Sequence, residues 1–347
     1  MAKPTIRDIA TQAGVSPAAV SFTLNNRPGV SQATRERILA VARQSGWTPN
    51  TRARSLSRAR ADAVGLVVTR PDDSYTSESF YFRFIVGLQN ELSGAGIDVV
   101  LRHCSDPAAE SDIYERWSSS GRVDGVIILD PVSEDPRFPL LRRLNLPAVV
   151  VGQEVEGFPS LITQDAALME GIAAYLASTE VRRIGYVAGI ASLTHTVQRH
   201  QALEAFSAQN PAVNMLFSAD TDFTENAGRK ATRTLVDAGV DALIFDNEVL
   251  ALGGLTALSQ SEAQRIQLFS CEDSPLCRVA QPQISAVESS AIALGRNAGA
   301  LMLERLTTQQ VPSRTMPVPQ LIIRAVAPPV ALPTRAAAAP PAARLPS

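Results

Sequence analysis

Residue types suited to catalysis or metal binding are sparse in this sequence, and their spacing suits neither task. The histidines, His103, His195 and His200, stand without cysteines or carboxylates at zinc-ligand spacing. Cys104, Cys271 and Cys277 are too scattered for a disulfide framework or a zinc site and read as buried, reduced thiols. No dinucleotide or P-loop glycine motif, no G-x-S-x-G elbow and no H-E-x-x-H is present. The reading is therefore a protein that is not an enzyme and needs neither cofactor nor metal. Charge is the chemistry that is concentrated. Residues 1–60 hold ten Lys or Arg against Asp8 and Glu36, a net +8, whereas the other residues carry −10 within an overall −2. A basic head on an acidic body points to a polyanion partner for the head alone, with a merely solvated charged face as the plain alternative.

Three short helices are expected to position that charge. Thr5 caps the first, with Asp8 near its N-terminus and Ile6, Ile9, Ala10 and Ala13 at helical spacing. Gly14 supplies a tight turn, and Ser16-Pro17 restarts a helix that runs to about Leu24 and turns Val20 and Leu24 inward. Residues 25–29 form a loop, Ser31 caps a third helix, and Gly46 stops it. Helices joined in this way make a helix-turn-helix.

The stretch TIRDIATQAGVSPAAVSFTLNNRPGVSQATRERILAVARQSGWTPNTRARSL resembles the DNA-binding head of the lactose-repressor (LacI/GalR) family throughout. Its most specific pieces are AGVSPAAVS, NNRPGVS, TRERIL and PNTRARSL. The resemblance implies that the second helix enters the major groove, with Pro17, Ala18 and Phe22 reaching base edges. Ser16, Ser21 and Asn25 would bond phosphates or nearby bases, and Thr5 joins them as a DNA contact. Ala19 stands where Thr is frequent and Phe22 where Arg is frequent. Phenylalanine offers only apolar contact, such as with a thymine methyl, so the preferred operator should differ; packing on the helix surface is the other reading of Phe22. The resemblance also implies a hinge helix from Thr51 to about Arg58, capped by Asn50. In it Leu56 wedges between base pairs while Arg52 and Arg54 follow phosphates or the groove floor. Thr51-Arg52 replaces the apolar pair usual there.

Beyond Val64 the pattern becomes α/β. Apolar runs at 64–68, 97–101, 124–129, 147–152, 183–189, 241–246, 266–271 and 321–324 alternate with helical segments, as in parallel sheets covered on both faces. Two such lobes with a cleft between them form a periplasmic-binding-protein-like body, and the family resemblance continues in weaker form to about residue 326. Position by position it implies that Arg199 grips ligand hydroxyls or a carboxylate, that Phe223 stacks on the ligand, and that Phe80 and Tyr81 line the cleft from the first lobe. His195 and Asn247 supply polar contacts. Glu248 and Glu272 stand where relatives commonly carry Asp, and the added methylene of each narrows the site.

The expected fold is thus an all-α helix-turn-helix head on a two-lobed α/β body. Its segments are 1–49 (head), 50–61 (hinge helix and linker), 62–326 (effector binding and dimerisation) and a disordered Pro/Ala-rich tail, 327–347. The resemblance implies a ligand-responsive transcription regulator, a repressor that binds a palindromic operator as a homodimer and answers to a small, sugar-like effector, which acts as inducer or co-repressor. The alternative keeps the head but places the body under a protein partner. A solute-binding transport protein is disfavoured by the basic head and by an N-terminus, MAKPTIRDIA, without an apolar signal. No apolar run approaches the ~18 residues of a membrane helix, so a cytoplasmic protein is expected.

Overall fold

A computed structural model describes residues 4–24, 27–47, 60–72, 78–179, 181–288 and 290–324. Asn25, Arg52, Arg54, Leu56, the hinge segment and the tail lie outside the described residues. The chain divides into two compact units between Ala61 and Asp62.

The first unit contains α1 (Ile6–Ala13), α2 (Pro17–Leu24) and α3 (Gln32–Gln44). Their limits follow from capping chemistry. Thr5 and Asp8 form a reciprocal box: the Asp8 carboxylate accepts from the Thr5 amide at 2.7 Å and hydroxyl at 2.8 Å, and the Asp8 amide donates to the Thr5 hydroxyl. Gly14 ends α1 at φ 63°, a left-handed conformation in which a side chain would be strained. Ser16 accepts from the Ala19 amide at 3.2 Å, and Ser31 caps α3. Ile9, Val20 and Ile38, one from each helix, are wholly buried against one another. In α2 the buried place beside Val20 belongs to Thr23, and Leu24 packs half-buried on the same core. Arg35 of α3 donates to the carbonyls of Thr23 and Arg27, tying α3 to both ends of the connection that follows α2.

The second unit has two lobes, each built on a six-stranded sheet. In the first lobe the strands are β1 (Ala63–Thr69), β2 (Asp98–Cys104), β3 (Gly125–Ile128), β4 (Ala148–Gly152), β5 (Ser160–Ile162) and β11 (Arg314–Thr315), in the order β11-β5-β4-β3-β1-β2 and parallel throughout. Helices α4 (Ser79–Ser93), α5 (Pro107–Ser120), α6 (Arg137–Leu144) and α13 (Ala291–Thr307) belong to this lobe. The second lobe has β6 (Arg183–Val187), β7 (Asn214–Phe217), β8 (Ala242–Phe245), β9 (Gln267–Ser270), β10 (Ser285–Glu288) and β12 (Gln320–Ile322), in the order β12-β10-β9-β8-β6-β7. With them go α7 (Asp165–Ala177), α8 (Thr194–Gln209), α9 (Glu225–Asp237), α10 (Glu248–Thr256), α11 (Gln260–Arg265) and α12 (Pro275–Val279).

Most of the Val/Ile/Leu runs became central strands because both faces are covered, whereas the 97–101 run became β2, an edge strand with no fully buried residue. Val126–Ile128 and Val149–Val151 are buried, and Val64, Leu66, Ile127, Val149 and Val151 share one core with Tyr81, Phe84, Leu88 and Leu92 of α4 and Ala298, Leu301 and Met302 of α13. One strand departs from the parallel reading: β12, from the LIIR run, pairs antiparallel with β10 at the sheet edge. β5, β7, β10 and β11 are additional short strands. The chain crosses between lobes after β5, between β10 and α13, and between β11 and β12. In both sheets the strand order reverses at a central pair, β1/β3 and β6/β8, which opens a crevice at their carboxyl ends. Among the described residues no helix is long and apolar enough to cross a membrane. Cys271 and Cys277 are buried free thiols, while Cys104 is only half-buried.

Candidate functional site

Two surfaces concentrate the candidate residues. On α2, Pro17, Ala18 and Phe22 are exposed and Ser21 half-exposed, while Val20 and Thr23 face the core. Positions 17, 18, 21 and 22 recur at helical spacing on one face. Phe22 is 39% exposed, and its ring flanks Gly29 rather than the core. Thr5 is exposed with its hydroxyl engaged in the cap, and the Ser16 hydroxyl caps α2.

The second surface is the cavity between the lobes. The switch points place its charged walls: Arg70 follows β1, Asp130 follows β3 and Asp246 follows β8. Phe80, Tyr81, His195, Arg199, Phe223, Asn247 and Glu272 line it. Glu248 does not; it is fully buried at the start of α10, and its Oε1 accepts from the Ser79 amide (3.2 Å) and hydroxyl (2.7 Å) across the lobes. The Arg83 guanidinium donates to the Asp273 carbonyl at 2.8 Å, and Thr194 donates twice to the Pro131 carbonyl, further ties between lobes.

Arg199 is held at both ends of its fork. Its Nε meets Asp165 Oδ1 at 2.8 Å, and one terminal nitrogen meets Asp246 Oδ1 at 2.5 Å and the Asp246 carbonyl at 3.0 Å. Asp246 also accepts from the Tyr186 hydroxyl, the Gly189 amide and the Thr196 hydroxyl. Burial pushes the Asp246 carboxyl up, but Arg199, His195 and Tyr186 outweigh it and hold it below the usual carboxylate range. Burial, reinforced by Arg199, pushes His195 down toward the neutral imidazole. The Arg199 charge is thus answered by two carboxylates before any ligand arrives.

On the first lobe, Arg70 pairs with Asp130 at 2.9 Å, and Tyr81 donates to the same carboxylate at 2.7 Å. Burial raises the Asp130 carboxyl; Arg70 and its other partners more than reverse this. The Arg70 guanidinium lies 5.8 Å from the Tyr81 ring centre and 5.6 Å from that of Phe223, so it spans the cleft as a cation on two aromatic faces. Its Nε, buried, has no hydrogen-bond partner. Phe223 is buried at φ 65°, unusual for a bulky side chain, and is seated against His195. A Cβ at position 189 would collide with the Phe223 ring and the Asp246 carboxylate, so glycine is required there. Asn247 caps α10 through its Oδ1 (2.9 Å to the Leu250 amide), leaving its buried Nδ2 without a partner.

Sequence reasoning missed Arg70, Asp130, Asp165 and Asp246. Asp130 and Asp246 directly follow two apolar runs, and a charge at the carboxyl end of a parallel strand is the signal that would have found them. Among the described residues no group of His, Cys, Asp or Glu is arranged to hold a metal.

The model for bacterial regulatory proteins of the lacI family matches residues 5–50, and that for a periplasmic binding protein-like domain matches residues 173–325. The chain is similar to the HTH-type transcriptional regulator CelR of Thermobifida fusca, 28% identical over 334 residues, 93% of this chain and 98% of CelR. A solved complex of a transcriptional regulator CelR with cellobiose has a TM-score of 0.68 at 24% identity, covering 93% of this chain and 99% of that one. The lac repressor dimer, solved with operator and the anti-inducer ONPF, has a TM-score of 0.81 at 20% identity, covering 93% and 98%. Matches at the head, in the body and along nearly the whole chain agree: the chain carries a LacI-type helix-turn-helix domain and a periplasmic-binding-protein-like domain, and its relatives are DNA-binding transcription regulators of the LacI family.

Proposed function

We propose that this regulator is a repressor that binds a palindromic operator as a homodimer and is controlled by a small, sugar-like molecule held between the lobes. The observation that carries the reading is the cavity at both switch points, where Arg70 Nε and Asn247 Nδ2 are buried donors without partners. Buried donors left unpaired cost ~1–3 kcal/mol each, and ligand oxygens would recover that. The relatives point the same way: the CelR complex holds cellobiose, and the lac repressor was solved as a dimer on operator. In this reading residues 1–49 read DNA, 50–61 form the hinge, 62–326 bind effector and dimerise, and 327–347 are a tail. The protein acts in the cytoplasm and catalyses no reaction. Pro17, Ala18 and Phe22 meet base edges, Thr5, Ser16, Ser21 and Asn25 contact phosphates or nearby bases, and Leu56 with Arg52 and Arg54 engages the minor groove. Phe80, Tyr81, His195, Arg199, Phe223, Asn247, Glu248 and Glu272 form the effector site and its wall.

The test is a fluorescence-anisotropy titration of the full chain on its operator, with and without a panel of mono- and disaccharides. An effector should change operator affinity about 5–150-fold, the coupling of ~1–3 kcal/mol usual for allosteric pairs. If no sugar changes operator affinity or melting, and a protein partner does, the body is partner-controlled.

A further inference from the structure

Both guanidinium groups in the cavity wall are engaged before a ligand enters. Among the described residues, Arg70 and Arg199 are the only Lys or Arg that line it. Arg70 is buried, meets Asp130 at 2.9 Å, donates to the Thr69 carbonyl at 3.3 Å and lies over the Tyr81 and Phe223 rings. Arg199 shares its charge between Asp165 and Asp246. These aspartates are themselves anchored from elsewhere. Tyr81 donates to Asp130, and the Thr163 hydroxyl donates to Asp165 at 2.5 Å. Asp246 takes Arg199 and Tyr186 on Oδ1 and the Gly189 amide and Thr196 hydroxyl on Oδ2, which fills the roughly four acceptor sites of a carboxylate. An incoming anion would have to displace an anchored aspartate, leaving buried donors unpaired, or stand beside it as a further negative charge. A hydroxyl needs neither. It can accept from a guanidinium and donate to a carboxylate at once, and so meets a paired charge without separating it.

We propose that Asp130, Asp165 and Asp246 set the charge of the effector: by neutralising both arginines they restrict the cleft to an uncharged polyol and exclude its phosphorylated and carboxylated forms. This deepens the effector-cleft reading and rests on it. The family resemblance leaves Arg199 to grip either hydroxyls or a carboxylate; with its aspartates anchored, hydroxyls remain. Two arginines against three aspartates leave one negative charge over. Burial raises the Asp130 and Asp246 carboxyls, but the arginines beside them outweigh it, so both stay ionised and the shortage of positive charge persists at neutral pH. Burial pushes His195 down toward the neutral imidazole, so it supplies no third cation. The carboxyl groups are no freer for a cation. The three aspartates hold arginine, and burial, then the Glu248 charge beside it, pushes Glu272 up toward the neutral acid.

The experiment is calorimetry and thermal melting of the full chain with matched sets: glucose, glucose 6-phosphate, glucuronate and glucosamine, and cellobiose with cellobionate. The expected result is that a neutral member binds at least about tenfold tighter than its charged counterparts, the worth of one hydrogen-bonded charge. Asp130→Asn and Asp165→Asn, on different lobes, each keep a carbonyl oxygen for the arginine while removing the charge. Each should shift the anion-to-neutral affinity ratio toward the anion by about tenfold or more, and the double variant further. A purely structural role for these aspartates would weaken every member alike and leave the ratios where they were. Inorganic phosphate is the probe that needs no sugar: it should raise the melting temperature of the double variant's body and not that of the unaltered chain. A charged member binding the unaltered chain as tightly as its neutral counterpart would overturn the inference and leave the effector cleft standing. Unshifted ratios in both Asn variants would overturn the role of the aspartates. If no sugar binds and phosphate acts alike on the unaltered chain and the double variant, the inference also falls, and the operator titration judges the cleft separately.

Discussion

Arg199 sits among charges it must balance, and this changes what its removal does. Arg199→Ala leaves Asp165 and Asp246 buried without their cation, a loss of roughly 3–5 kcal/mol for breaking a buried pair. Thermal unfolding should show that loss, and Arg199→Lys should not rescue it, because one ammonium cannot hold both carboxylates as the fork does. Gly189→Ala drives a methyl group into Phe223 and Asp246, so it should destabilise by about 1–3 kcal/mol, the usual overpacking cost, and abolish effector response. The pH dependence has two limbs of opposite sign. His195 is depressed from 6.5, so its contribution is full above that value and is lost as pH falls through its folded pKa. Glu272 is raised from 4.5, so its contribution is full below that value and is lost as pH rises through its folded pKa. Denaturant melts across pH should show that Glu272→Gln flattens the alkaline limb and His195→Asn the acid limb. Arg199, Phe223 and His195 were reachable by matching positions, because each sits in a distinctive local run. Arg70 and Asp130 were not, since their meaning depends on which strands become neighbours, and that is a long-range fact.

The elements were legible in proportion to how local their causes are. The limits of α1, α2 and α3 follow from Thr5, Asp8, Gly14, Ser16 and Ser31, residues whose side chains or backbone act within a turn of themselves. The long apolar strands announced themselves because burial on both faces demands continuous Val and Ile. The three-residue β5 and the edge strand β7, with Asn214 exposed, lack that signature. The direction of β12 is set by its pairing with β10, which no local pattern encodes. The head core is small, so Ile38→Ala, which empties its centre, should cost ~2–5 kcal/mol. Calorimetry should then show loss of the head transition and of operator binding while the body's transition stays in place. Phe22, exposed on the α2 face, can be tested at the same scale. Phe22→Arg should shift the selected operator toward guanine at the base it meets, read by sequencing bound fragments. Unchanged preference would make Phe22 a surface packing residue.

At the scale of the molecule, the charge division separates two tasks. A head of +8 is attracted to the phosphate backbone, whereas the remaining −10 keeps the body away from it. Operator affinity should therefore fall steeply with salt, and effector affinity for a neutral sugar should not. In the proposed function the coupling between the tasks would belong to the lobes, whose contacts among the described residues include Ser79 to Glu248, Arg83 to Asp273 and Thr194 to Pro131. A ligand that changes how these meet changes the relation of one lobe to the other, which is the two-state element an effector needs to bias. The most direct test of a sequence-specific regulator is selection of genomic fragments by the purified full chain at physiological salt, followed by sequencing of what is retained. The account predicts enrichment of a short palindrome, lost in Leu56→Ala and altered by one class of metabolite. Retention without sequence preference, both with and without metabolites, would contradict it.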